Sequence, residues 1–196
     1  VGYLYFFPYF KAVHNPNENV RVYMTLAVVD HGTYAINEVQ KKYGYVNDKA
    51  KRGDKLYSCK APGVSLYAVP FAYLHKALWS LLDLGEPDFR TIIFVLRFFT
   101  ASLPSLLFLW AFFWLLGRFI DREWVRNGAV LALALGTLFL PSGLLVVGHQ
   151  LGTIGVGGAF IALVASRDRG GDWRLITLAG FLVGAGGVWA AHRWLE

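Results

Sequence analysis

Cysteine is nearly absent: Cys59 stands alone in 196 residues, which excludes an intrachain disulfide and any cysteine cluster for zinc. Charge is scarce as well. Only 16% of the residues are Asp, Glu, Lys or Arg, and no basic run with interleaved aromatics occurs, so the chain does not read as a nucleic-acid partner. P-loop, G-x-S-x-G and H-E-x-x-H motifs are missing, and there is no internal repeat. Methionine at the first position is missing too. The chain opens on Val1, and Val1 to Phe10 supplies about ten apolar positions, half of the roughly twenty that a membrane span requires. No basic n-region or small-residue cleavage site accompanies it, so it does not read as a signal peptide. With an abrupt end at His192-Arg193-Trp194-Leu195-Glu196, this predicts a fragment of a longer protein that begins inside a truncated span, residues 1–12.

Apolar side chains are abundant instead. The chain is 56% hydrophobic and 16% aromatic, far more apolar than a soluble domain of this size. The expected class is all-α, a polytopic transmembrane helical bundle with a long first external loop carrying juxtamembrane helices. A net charge of +6 suits anionic lipid head groups or a phosphate-bearing substrate.

After the truncated span, Asn15-Pro16-Asn17-Glu18 predicts a helix start, with Asn15 as N-cap, Pro16 at the first helical position and Glu18 completing a capping box. The helix should run to about Asp30 and end at Gly32. Val20, Tyr23, Met24, Ala27 and Val28 share one face, as in an amphipathic element lying along a membrane surface. Thr33 to Lys60 is polar and basic and reads as an aqueous loop. Val64 to Leu84 is long enough to span, yet Pro70, the His75-Lys76 pair and Asp83 interrupt it, which favours an interfacial helix. Residues 13–90 would therefore be external, and residues 91–196 would carry about four spans.

Arginine sets the orientation. Arg118 to Arg126 and Arg167 to Arg174 each carry three arginines, so both connections are expected to be cytoplasmic. Thr91 to Leu116 then runs inward, Gly128 to Val147 outward, Gly148-His149-Gln150 turns externally, Leu151 to Ala165 returns, and Leu175 to Ala191 leaves again. The small-xxx-small spacing of Gly180 and Gly184 suits close helix packing.

The junction from Gly53 to Leu66 joins the longest polar stretch to the first long apolar one. The X-Pro restriction holds Ala61 extended, and Pro62-Gly63 punctuates the chain before Val64, which puts the Lys60 ammonium at a water–lipid boundary. In this topology Asn17, Glu18, Arg21, Asp48, Lys60 and His149 collect on one side. Each has a plainer reading: Glu18 as a helix cap, Asp48 as a loop charge, His149 satisfying a helix end, Lys60 snorkelling.

The order of these features resembles a known family. The Asn15-Pro16-Asn17-Glu18 start with Arg21 is followed by A-V-V-D-H-G-T-Y-A-I, by D-K-A and G-D-K-L-Y-S-C-K-A-P-G-V-S-L, by L-R-F-F-T-A-S-L-P-S, and by A-L-G-T-L-F-L-P-S-G-L-L-V-V-G-H-Q-L. The whole is similar to the amino-terminal part of the GT-C superfamily of membrane glycosyltransferases, which includes protein O-mannosyltransferases and the lipid A aminoarabinose transferase. The resemblance implies a sugar donor carried on polyprenyl phosphate, a lipid, glycan or protein acceptor, and a bacterial inner-membrane protein whose site faces the periplasm or exterior. It places the family's acidic pair on Asn17-Glu18, its Lys-Pro block on Lys60-Ala61-Pro62 with Tyr57 just before, and a later external polar site at or near His149. Asn17 departs from the acidic pattern, since an amide is no base. Glu18 and Asp48 are thus the two candidate catalytic bases, and Asn17, Arg21, Tyr57, Lys60 and His149 the candidate substrate contacts. A divalent metal between a carboxylate and His149 stays open. The alternatives are a non-catalytic lipid-binding or transport protein and a lapsed relative that keeps the fold as a scaffold. Transport is disfavoured by the missing repeats.

Overall fold

The computed structural model describes residues 15–190, with side chains described through Gly184; the truncated span expected at residues 1–12 and the chain end at 191–196 lie outside the described residues. Helix α1 (Pro16–His31) begins as expected. The Asn15 side chain accepts a hydrogen bond from the Asn17 amide at 3.0 Å, Pro16 occupies the first turn, and Gly32 closes the helix in the left-handed region at φ 60°, which glycine adopts without a Cβ penalty.

Two expectations about α1 fail. Glu18 does not complete a capping box, because its carboxylate is drawn away to Arg97 and to the Val146 amide. Nor is the helix a one-faced surface element. Val20 through Ala27 are all buried, because neighbours pack around it: α3 (Gly63–Leu81) runs alongside in the same direction, and α4 (Phe89–Arg97) runs back against it. On α3 the contact face is Val64, Ser65, Ala68, Ala72 and His75, a helical three-and-four spacing. The small residues allow close approach, and Thr25 Oγ1 donates to the Ser65 carbonyl at 3.1 Å. Lys76 pairs with Asp30 at the far end.

The stretch read as an aqueous loop is ordered. It folds into α2 (Asn37–Tyr43) and an antiparallel hairpin of β1 (Lys49–Arg52) and β2 (Lys55–Ser58), so the fold is mostly helical rather than all-α. Gly53, at φ 61°, makes the two-residue turn that the hairpin twist demands. Asn37 pins the hairpin to α2: its side chain donates to the Asp54 carbonyl at 2.9 Å and accepts from the Leu56 amide at 2.8 Å.

Among the described residues, two helices are long and apolar enough to cross a membrane, Phe89–Leu116 and Gly148–Asp168. The first is one rod built from α4, a π-helical turn (Phe98–Ser102) and α5 (Leu103–Leu116). Pro104 has no N–H to continue the ladder, and the insertion just before it relaxes that break. The second is α8. Val64 to Leu84 is not among these two.

Gly128 to Val147 does not form the single span expected of it. Helix α6 (Glu123–Gly136) stops early, one turn of helix follows as α7 (Phe139–Ser142), and residues 143–147 are irregular. At ~1.5 Å per residue, the 14 residues of α6 fall short of a ~30 Å bilayer core. The irregular segment is tucked into protein, with Gly143, Leu144 and Val146 buried. Ser102 Oγ donates to the Gly143 carbonyl at 3.0 Å and the Val146 amide to Glu18 at 2.9 Å. Broken backbone in an apolar setting needs such partners.

Gly148-His149-Gln150 is the first turn of α8 (Gly148–Asp168), not a loop. Helix α8 runs parallel to α5, because Gln150 donates to Ser105 at 2.7 Å, the Phe108 ring faces Gly157, and Arg118 pairs with Asp168. That ion pair puts both arginine-bearing turns at one end. Helix α9 (Trp173–Ala190) returns along α8, where Ala159, Ala162 and Ala179 make the close contact. Gly180 and Gly184 do not serve as expected: among the described residues, a Cβ at either would meet nothing within 4 Å. The close approach belongs to Gly157, where a Cβ would lie 2.7 Å from the Phe108 ring, and to Gly158, 3.3 Å from Leu182.

Candidate functional site

The hairpin register brings two charges together. With Lys49 paired to Ser58, the residue before β1 faces the residue after β2, and the Cys59 amide donates to the Asp48 carbonyl at 3.3 Å. Lys60 then turns its ammonium onto the Asp48 carboxylate at 3.1 Å, each side chain about a third exposed. The Lys60 amide is tied to Ser58 Oγ at 3.1 Å, and Ala61 behind it is buried. An ammonium and a carboxylate are thus held at the rim of the helical core, open to solvent.

Arg21 lies beneath them. It is only 7% exposed, and its Nη1 donates to the Asn17 carbonyl at 2.8 Å. The backbone around it is fixed, since its own carbonyl accepts from Thr25 Oγ1 at 2.9 Å and from Ser65 Oγ at 3.1 Å. Burial pushes the guanidinium below its usual value, and the Asp48, Cys59 and Glu18 side chains pull it back up; arginine stays charged under any ordinary condition. Among the described residues, the Arg21 Nε donor and the Asn17 Oδ1 acceptor in this corner are buried without a hydrogen-bond partner. Each unmet buried group of this kind costs on the order of 1–3 kcal/mol. The corner therefore holds a buried acceptor and a buried, positively charged donor beneath the solvent-open Asp48–Lys60 pair.

Glu18 is held in a buried ion pair. Its two oxygens receive Arg97 Nε and Nη2, both at 2.8 Å, and one also takes the Val146 amide at 2.9 Å. The side chains are 0% and 4% exposed. This fork ties the start of α1, the end of α4 and the irregular 143–147 segment into one knot. Arg97 is the residue that sequence reasoning missed. The signal was its place inside an apolar run, where a guanidinium needs a carboxylate partner.

Tyr57 is half-buried and held in the sheet, paired with Ala50 and bridged to Ala35. His149 is exposed on the first turn of α8. It opens on a separate cavity of about 500 Å³ lined also by Leu133, Phe139, Ser142 and Thr153. The structure therefore brings Asn17, Arg21, Asp48 and Lys60 together, and leaves Tyr57 and His149 outside that group. Among the described residues no three His, Cys, Asp or Glu side chains converge as metal ligands. The donor set does not fit the divalent metal left open between a carboxylate and His149. Neither a family model nor a curated protein nor a solved structure matches this chain.

Proposed function

We propose that the chain is the donor-binding part of a multi-pass membrane glycosyltransferase that takes its sugar from a polyprenyl phosphate. The observation that carries this is the buried, incompletely bonded Arg21 beneath the Asp48–Lys60 pair, together with the motif blocks that resemble the GT-C superfamily. The Lys60 ammonium, open to solvent, binds the donor phosphate, and the buried Arg21 guanidinium adds positive charge beneath it. Asp48 is the better placed of the two candidate bases, because it is accessible while both Glu18 oxygens are engaged. In the reaction the acceptor hydroxyl gives its proton to Asp48 as its oxygen bonds to the sugar's anomeric carbon. The bond from that carbon to the phosphate oxygen breaks, and the electron pair leaves with the polyprenyl phosphate, whose charge Lys60 and Arg21 stabilise. Membranes containing the full-length protein should release polyprenyl phosphate from a sugar-loaded carrier when an acceptor hydroxyl is present. Binding of the carrier without release would replace the enzyme with a lipid-binding protein.

The orientation proposed with this function is a site facing the periplasm or exterior of a bacterial inner membrane. The arginine-bearing turns face the cytoplasm, as their charge favours. With Cys59 replaced by serine, single cysteines at positions 48 and 149 should react with a membrane-impermeant maleimide from one side, and cysteines at 122 and 169 only from the other. Labelling of 48 and 122 from the same side would contradict the arrangement.

A further inference from the structure

At the end of the two membrane-length helices far from Arg21, a cavity of about 460 Å³ is lined by Trp110, Phe113, Trp114, Gly117, Arg118 and Arg126. Its two arginines are held differently. Arg118 lies over the Trp114 ring at 4.3 Å and is neutralised by Asp168. Arg126 lies over the Phe113 ring at 4.9 Å, with its Nε buried and, among the described residues, lacking a hydrogen-bond partner. Among the described residues no carboxylate pairs with it, although Asp121 and Glu123 stand on the same turn. Gly117 makes room for it, since a Cβ there would lie 2.7 Å from Arg126 Nη1. Aromatic side chains at this end are open: Trp110 in the lining, and Phe119 and Trp124 in the adjoining turn, are each more than two-thirds exposed, as in the belt that marks a membrane–water interface.

We propose that this cavity binds the phosphate of an anionic phospholipid, with Arg126 as its donor fork and Trp110 and Trp114 against the glycerol and first acyl carbons. A cavity-lining guanidinium that no carboxylate neutralises among the described residues is the side chain best matched to a phosphate oxygen. Basic pockets between membrane helices are where anionic head groups settle. The cavity's position at the end of α5 selects a lipid over a free anion, because the aromatic walls offer nothing to inorganic phosphate. This rests on α5 and α8 lying in a membrane and not on the glycosyltransferase reaction.

The test is thermal unfolding of the full chain in a zwitterionic detergent, with added dioleoylphosphatidylglycerol, dioleoylphosphatidylcholine or inorganic phosphate. Phosphatidylglycerol should raise the midpoint at concentrations where the other two do nothing. Arg126→Gln should weaken that response at least tenfold, and Arg122→Gln, at an exposed position on the same turn, should leave it intact. If Arg126→Gln does not fold, Gly117→Ala serves, since it keeps both charges and displaces the fork. An undiminished response in these variants, or an equal response to phosphatidylcholine, overturns the site. An equal response to inorganic phosphate makes it a plain anion site and overturns the lipid.

Discussion

Lys60→Ala in the full-length protein should lower donor turnover by about a hundredfold or more, the size of effect expected when a group stabilising leaving-group charge is lost. Lys60 is the one lysine of the 41–60 segment fixed beside the buried Arg21, through Asp48 and through its own amide. Lys55, at the hairpin's turn, is exposed, so Lys55→Ala should leave turnover within a few-fold of wild type. Lys60→Arg should restore only part of the activity, because a planar fork does not occupy the place of a compact ammonium. The measurement is release of polyprenyl phosphate in membranes at matched protein levels. A lysine that merely anchors the chain at the lipid boundary would give equal, small effects at positions 60 and 55, and that result would remove Lys60 from the site.

The largest expected loss of stability is at Glu18 and Arg97. Removing one partner of a buried ion pair leaves the other charge uncompensated and costs ~3–5 kcal/mol, and Glu18→Ala also strips the Val146 amide of its acceptor. Arg97→Ala should be similarly destabilising. The combined change Glu18→Gln with Arg97→Met should recover a substantial part, since no lone charge remains and the glutamine carbonyl can still accept from Val146. Thermal or denaturant unfolding of the wild type, Glu18→Gln, Arg97→Met and their combination in detergent gives the coupling. Additive losses would mean that the two residues do not act as a pair.

Much of the helical scaffold was legible because its signals are local. Asn15, Pro16 and Gly32 mark the ends of α1 by capping chemistry, and the interrupted run from Val64 forms a helix outside the two of membrane length. The arginine-bearing turns at 118–126 and 167–174 meet at one end of the helices through the Arg118–Asp168 pair. What escaped was set by tertiary partners. The hairpin strands Lys49–Arg52 and Lys55–Ser58 bury none of their residues fully and show no apolar alternation, so only the Gly53-Asp54 turn signalled them. The break after Gly136 falls within an apolar run, and it is stabilised by Ser102 and Glu18, residues 41 and 128 positions away. Of the candidate site, Arg21, Asp48 and Lys60 could be named from charge at the lipid boundary. Their contact depends on the hairpin register, which also explains why Tyr57, one strand position from Ser58, is turned to the sheet instead.

Binding of the carrier lipid tests the central claim most directly, because it needs neither the sugar nor the acceptor to be identified. The full-length protein in detergent should bind undecaprenyl phosphate at least tenfold more tightly than undecaprenol, which has the same chain without the phosphate. Arg21→Gln and Lys60→Ala should each abolish that preference. Equal affinity for phosphate and alcohol in the wild type, or a preference that survives both substitutions, would contradict a phosphate site at Arg21 and Lys60.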